Sequence, residues 1–242
     1  MDYYHLGDLT HYITNEFYNI SWSKKLNQLR YIAYGLEKIH KKKIIHHDLH
    51  SGNILITNGY YNIRISDLGL SKSATESSDD NENYGIIPYM APEIFQGQKY
   101  TKASDIYSFG MIMWEYMTGR RPFWDRVHDT DLIIDICDGL RPPIGDTNVP
   151  NGYIELMKEC WNPDTTKRPT AKYIRNKINK IYLDERKNPI GLGESLDIGP
   201  IKINNPGAIY KSRPLSGMIN SAMSAMSTRS LRSQSISSEF GN

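Results

Sequence analysis

The residues best suited to chemistry in this chain are two carboxylates and an amide set close together. Asp48 sits in His46-His47-Asp48-Leu49-His50-Ser51-Gly52-Asn53, with Asn53 five positions on, and Asp67 follows in Ser66-Asp67-Leu68-Gly69. A carboxylate can hold a hydroxyl and accept its proton. An amide oxygen and a second carboxylate are hard donors of the kind magnesium takes, in small number, beside phosphate oxygens. The chemistry that such a set could do is phosphoryl transfer onto a hydroxyl. Each residue also has a plainer reading: Asp48 as a loop acid in an Asx turn, Asn53 as a turn amide, Asp67 as a hairpin-end cap.

For that chemistry Asp67 must return beside Asp48. Ile54-Leu55-Ile56-Thr57 and Asn62-Ile63-Arg64-Ile65 flank the turn signal Asn58-Gly59, so the spacing predicts a β-hairpin that carries it back. Ahead of the loop, Asp8 is a helix cap before Leu9, Tyr12 and Ile13. A longer helix is predicted from Ser21 or Ser23 to about His40, with Leu26, Leu29, Ala33, Leu36 and Ile39 on its core face. Lys41-Lys42-Lys43 closes that helix, cations suiting its carbonyl end. Downstream, Ser104 is read as the cap of a run through Met117 that is apolar nearly all round and hence buried. Further helices fit 129–138, 152–161 and 170–182. Residues 70–84 are serine-rich and acidic without periodicity, and are expected to form a mobile loop.

The chain has 242 residues, 39% of them apolar, with a net charge of +2. Residues 184–242 hold seven Lys/Arg against five Asp/Glu and only two aromatics, Tyr210 and Phe240. That stretch is expected to be a disordered serine-rich tail, unable to offset its chain entropy by burial. The body, 1–183, is charge-balanced, which argues against nucleic acid or a membrane surface as partner. Cys137 and Cys160 make no disulfide framework and read as core fillers in a reducing compartment. No stretch approaches the roughly 18 apolar residues of a membrane span. A cytoplasmic protein, or a nuclear one, is expected.

The order of the motifs resembles the eukaryotic protein kinase family, nearest its tyrosine-kinase-like serine/threonine members. His46-His47-Asp48 with Asn53 matches the family's catalytic loop, and Asp67-Leu68-Gly69 its metal loop. Ala91-Pro92-Glu93, Ser104-Asp105-Ile106-Tyr107-Ser108-Phe109-Gly110, Cys160-Trp161-Asn162-Pro163 and Arg168-Pro169-Thr170 then follow in the family's order. The resemblance implies a mainly α fold, the helical C-terminal lobe of a kinase with a small β-hairpin. It implies ATP and Mg2+ as cofactors, Asp48 as the catalytic acid, Asn53 and Asp67 as metal ligands, and Leu55 with them at the nucleotide, as the floor under adenine. A buried strand leucine explains Leu55 equally well. Glu93 and Arg168 are implied as a buried ion pair, with Asp105 holding the catalytic loop from below. The implied partner is a protein substrate accepting phosphate on Ser or Thr, with Tyr left open.

Four positions depart from the family pattern. His47 replaces an arginine that docks activation-loop phosphate, His50 replaces a lysine on the transferred phosphoryl group, Leu68 replaces a phenylalanine, and Ile86 a threonine. The family's glycine-rich loop, strand lysine and helix glutamate find no match in the 45 residues before His46, where Met1 to Gly7 corresponds to the hinge. The chain is therefore expected to be the C-terminal lobe alone, with little or no transfer activity by itself. The competing expectation is a catalytically dead, kinase-derived binding module. In the tail, Arg229-Ser230-Leu231-Arg232-Ser233-Gln234-Ser235 offers serines near arginines that a basophilic kinase and a phosphoserine reader could use. A solvated low-complexity terminus is the plainer reading.

Overall fold

The computed structural model describes residues 7–57, 63–69, 71–73, 83–193 and 195–239, with side chains left out at 72, 73 and 230–239. Eight α-helices are present among them: α1 (Leu9–Glu16), α2 (Trp22–Lys41), α3 (Pro92–Phe95), α4 (Lys102–Thr118), α5 (Thr130–Cys137), α6 (Tyr153–Cys160), α7 (Ala171–Lys187) and α8 (Ser216–Glu239). Six short strands pair antiparallel in twos: β1 (Ile44–Ile45) with β4 (Lys72–Ser73), β2 (Ile54–Ile56) with β3 (Ile63–Ile65), and β5 (Tyr84–Gly85) with β6 (Arg213–Pro214). The architecture is mainly α, as the motifs imply.

Helix starts follow the sequence closely. Asp8 caps α1 by accepting from His11 N at 2.8 Å, Ser21 caps α2 and Thr170 caps α7. Such caps are each worth about 1 kcal/mol. For α4 the cap is Thr101 rather than Ser104. Ser104 is the third helical residue and returns its side chain to Thr101 N at 2.9 Å, completing a capping box. The helix ends at Gly119, whose φ of +73° is the left-handed conformation that glycine adopts without strain.

Helix α4 is the axis of the core, buried at every position from Ser104 to Thr118. Each large aliphatic side chain buried in this way contributes about 1.5–3 kcal/mol. Its polar atoms find partners in neighbouring elements: Tyr116 Oη donates to Gln28 Oε1 at 3.2 Å, Tyr153 Oη to Met113 O at 2.8 Å, and Trp114 Nε1 to Pro143 O at 2.8 Å. Helix α2 packs against α7 on one side and β3 on the other. Its expected core face is buried except at Ile39, which is only partly covered.

The stretch expected as a disordered tail differs from expectation. Helix α7 runs on to Lys187, and the chain beyond it crosses the lobe, burying Ile198, Leu215, Ile219 and Ala222. Tyr210 donates to Pro122 O at 2.9 Å and lies 4.0 Å from the Arg121 guanidinium. The aliphatic residues, scattered without period, are covered by packing against the lobe, α8 lying on α5 and α3. The expected turn at Asn58-Gly59, residues 74–82 of the expected mobile loop and the final residues from Phe240 lie outside the described residues. No helix among the described residues is long and apolar enough to cross a membrane.

Candidate active site

Asp105, on α4 and 2% exposed, organises the loop that carries Asp48. Its carboxylate accepts from His46 N at 2.9 Å, from His47 N at 3.1 Å, and bonds to His40 Nε2 at 2.8 Å. His46 in turn reaches forward to Ser66 O, 3.0 Å from its Nε2. His47 is held in a left-handed conformation, φ +73°, and its ring stacks on Tyr100 with centroids 4.3 Å apart. Non-glycine residues adopt such backbone angles at a cost of about 1–3 kcal/mol and tend to do so at functional sites.

Backbone bonds tie Asn53 to Asp48 and to Ser66, the residue before Asp67. Asn53 Nδ2 donates to Asp48 O at 2.9 Å, which orients the amide and leaves its oxygen as the remaining donor atom for a ligand. The β2–β3 register places Ile54 opposite Ile65, so Asn53 faces Ser66, whose N and Oγ both donate to Asn53 O at 2.8 and 3.0 Å. Asp67 is the next residue along. It is exposed, has φ +56°, and accepts from Gly69 N at 3.2 Å. Leu55 alternates with buried Ile54 and Ile56 and is half-buried on the opposite face of its strand.

Two histidines and one buried acid were not assigned these contacts from sequence. Gly52 N donates to His50 Nδ1 at 3.1 Å, so that nitrogen is the acceptor and the ring proton of neutral His50 sits on Nε2, 3.6 Å from Asp48 Oδ2. His40 supports Asp105 from α2. Glu115, inside the apolar run of α4, accepts from Tyr89 Oη at 2.5 Å, and a chain of hydroxyls continues through Ser51 to Thr10. Burial raises the Glu115 carboxyl to about 7 and the Tyr89 hydroxyl well above its ordinary value. Nothing in residue spacing marks Glu115 as polar-partnered. His40 and His50 fall at positions that read as a helix end and a loop.

The implied ion pair is present. Arg168 Nη1 and Nη2 donate to the two Glu93 oxygens at 2.7 and 2.8 Å, with both side chains buried. Ile86 is buried beside Gly85. A methyl group on Gly85 would come within 2.8 Å of Met90 Sδ and 3.8 Å of Asp48 Oδ1, so β5 runs close to the catalytic loop and a side chain there would displace Met90.

Among the described residues no three His, Cys, Asp or Glu side chains gather into a closed metal cage. Magnesium needs no such cage, since one or two protein oxygens complete a shell supplied mostly by water and phosphate. Asn53 and Asp67 fit that requirement in type. A cavity of about 700 Å3 lies behind the site, between α2, β3 and α7, lined by Tyr31, Tyr34, Ile39, Ile65 and Leu68. Of the site's neighbours it touches only Leu68.

Residues 1–178 match a family model described as protein tyrosine and serine/threonine kinase. A protein of Acanthamoeba polyphaga mimivirus named as a serine/threonine-protein kinase/receptor is 33% identical over 204 residues, covering 81% of this chain and 12% of that protein. A Dictyostelium discoideum protein named as a serine/threonine-protein kinase is 30% identical over 201 residues, 78% of this chain and 11% of its own length. Stress-activated protein kinase alpha of the same organism is 33% identical over 196 residues, 75% of this chain and 30% of its own. The chain thus spans between about a tenth and a third of these relatives. With the family model covering the catalytic loop, the metal loop and the helices that hold them, this chain belongs to the protein tyrosine and serine/threonine kinase family.

Proposed function

We propose that the site formed by Asp48, Asn53 and Asp67 handles the γ-phosphate of ATP and transfers it to a hydroxyl on a protein, serine or threonine by the names of the relatives. The observation that supports this reading is that Asn53 bonds Ser66, the residue before Asp67, at the end of the β2–β3 pair, while its own amide ties it to Asp48. Asp48 would accept the hydrogen of the incoming hydroxyl and hold its oxygen in line with the phosphorus. As the new oxygen–phosphorus bond forms, the bond to the bridging oxygen breaks and ADP leaves. Asn53 and Asp67 would hold Mg2+, which supplies charge neutralisation on the phosphates when bound. Leu55, on the face away from the buried strand residues, would lie beneath the purine. His50 Nε2–H, directed at Asp48, offers a donor on the acceptor side.

Stopped transfer reactions with radiolabelled γ-phosphate, MgATP and a mixed Ser/Thr/Tyr peptide library test this. Incorporation, expected to be weak for this chain by itself, that Asp48→Asn abolishes supports the reading and identifies the acceptor class. The alternative, a binding module without catalysis, draws on the substitutions His47, His50 and Ile86. It would give a folded protein that neither transfers phosphate nor is stabilised by MgATP.

A further inference from the structure

The segment after α7 reaches β5, the strand whose Gly85 neighbours Asp48. Gly199 N donates to Thr118 O at 2.7 Å, Asn205 N to Trp124 O at 2.9 Å, and His128 N to Gly207 O at 2.9 Å. The chain then forms β6 on the edge of β5, with Arg213 opposite Gly85 and Pro214 opposite Tyr84. Leu215 N donates to Asn83 O at 2.8 Å, and Asn83 N to Ser216 Oγ at 3.0 Å. Antiparallel pairs alternate, so the step after Asn83/Leu215 requires no N–H from Pro214, which has none. Arg213 Nη2 donates to His128 O at 2.9 Å, and Ile219 and Ala222 of α8 are buried as that helix packs on α5 and α3.

Strand β5 is the part of the chain that borders Asp48, through Gly85. A segment presenting a hydroxyl to Asp48 can approach in extended form along β5, where an added strand gains main-chain bonds whatever its side chains. Residues 212–216 already do this. Ser212, adjoining the ladder, has its Oγ closed off from solvent without a hydrogen-bond partner among the described residues.

We propose that the β5 edge is the surface that takes an extended acceptor segment of a protein substrate, and that residues 212–216 occupy it in cis, so that a substrate binds only after they are displaced. This rests on the reading of Asp48 as the acceptor-side acid. The strap is built for displacement. Its ladder is two residues long, and short elements open locally well before the whole fold does.

Three forms of the full chain test it: the parent, a release variant Leu215→Asp/Ile219→Asp, and a locked variant Tyr84→Cys/Pro214→Cys joined across the directly opposed pair. The probe is a fluorescent synthetic peptide of residues 209–220, followed by anisotropy, with hydrogen exchange at Asn83 and Gly85 measured in parallel. Expected are peptide binding at least tenfold tighter for the release variant than for the parent, no binding to the oxidised locked form, and restoration to the parent level on reduction. Protected α4 amides certify that each variant is folded. If α4 loses protection in the release variant, the reduced-against-oxidised comparison of the locked form, run with excess peptide, decides alone. Equal peptide affinity in all folded forms, or parent Asn83 and Gly85 amides that exchange as fast as in a folded release variant, overturns the proposal. Peptide switching without any MgATP stabilisation would sink the kinase reading and keep the strap, and the converse would sink the strap alone.

Discussion

Asp105 accepts the amide hydrogen of His47 at 3.1 Å while that histidine is held at φ +73°. One buried carboxylate on the central helix thereby fixes the residue preceding Asp48 in a conformation the chain would not choose alone. Because the other carboxylate oxygen takes His46 N and His40 Nε2, both oxygens are in use. Asp105→Asn replaces one of them with a donor facing an N–H. The expected loss is about 1–3 kcal/mol, read as a lowered urea midpoint at unchanged slope. A midpoint equal to the parent's would mean that the loop is held by other contacts.

The Glu93–Arg168 pair is bidentate and buried. Removing one partner leaves an uncompensated charge, so Glu93→Ala is expected to destabilise by about 3–5 kcal/mol. Glu93→Leu/Arg168→Met, which removes both charges, is expected to cost less than Glu93→Ala alone. Urea unfolding of the three proteins gives the comparison, and additive losses would contradict it.

Glu115 should make stability depend on pH. Burial lifts its carboxyl from 4.5 to about 7, against the opposing pull of the Tyr89 hydroxyl and the Arg121 cation. Between those values the folded protein holds a proton that the unfolded chain has released. Stability therefore falls as pH rises through that window, and the penalty is complete above 7. Glu115→Gln is expected to melt a few degrees higher than the parent at pH 8 and level with it at pH 5. The same difference at both pH values would remove the carboxyl from the explanation.

Lys25 acts over a higher window. Its ammonium is buried 3.8 Å from the Phe17 ring centroid, its Nζ has no hydrogen-bond partner among the described residues, and burial lowers its pKa from 10.5 to about 7. The unfolded chain binds the extra proton between these values, so stability climbs from about pH 7 towards 10.5 and the penalty is complete below 7. Lys25→Met is expected to raise the urea midpoint at pH 7, with the gain shrinking by pH 9.5. A gain that holds constant with pH would point to packing alone.

Much of this was legible in the residues because it is local. Caps at Asp8, Ser21 and Thr170 act within one turn, and the Ile54 and Ile63 runs on either side of Asn58-Gly59 declare a hairpin. The motif order disclosed the candidate site for the same reason, since Asp48 and Asn53 lie within one loop and Asp67 one hairpin away. What stayed hidden depends on contacts distant in sequence. Leu215 and Ile219 look like residues of a polar tail until elements far earlier in the chain, β5 with α3 and α5, give them a surface. Glu115 reads as an intrusion into an apolar helix until Tyr89 meets it. The capping role of Thr101 was missed because Ser104, three residues on, carries the same signal.

The central claim is that Asn53 and Asp67 together hold metal-bound nucleotide phosphates beside Asp48. The most direct measurement is thermal unfolding against rising MgATP for the parent, Asp67→Ala, Asn53→Ala and Asp48→Asn. Nucleotide at about a hundredfold over Kd stabilises by about 2.7 kcal/mol, or about 5–10 °C for a chain of this size. The expected result is such a rise for the parent and Asp48→Asn, its loss in Asp67→Ala and Asn53→Ala, and none for ATP with chelator. A parent that does not respond to MgATP, or a response that survives both alanine substitutions, would contradict it.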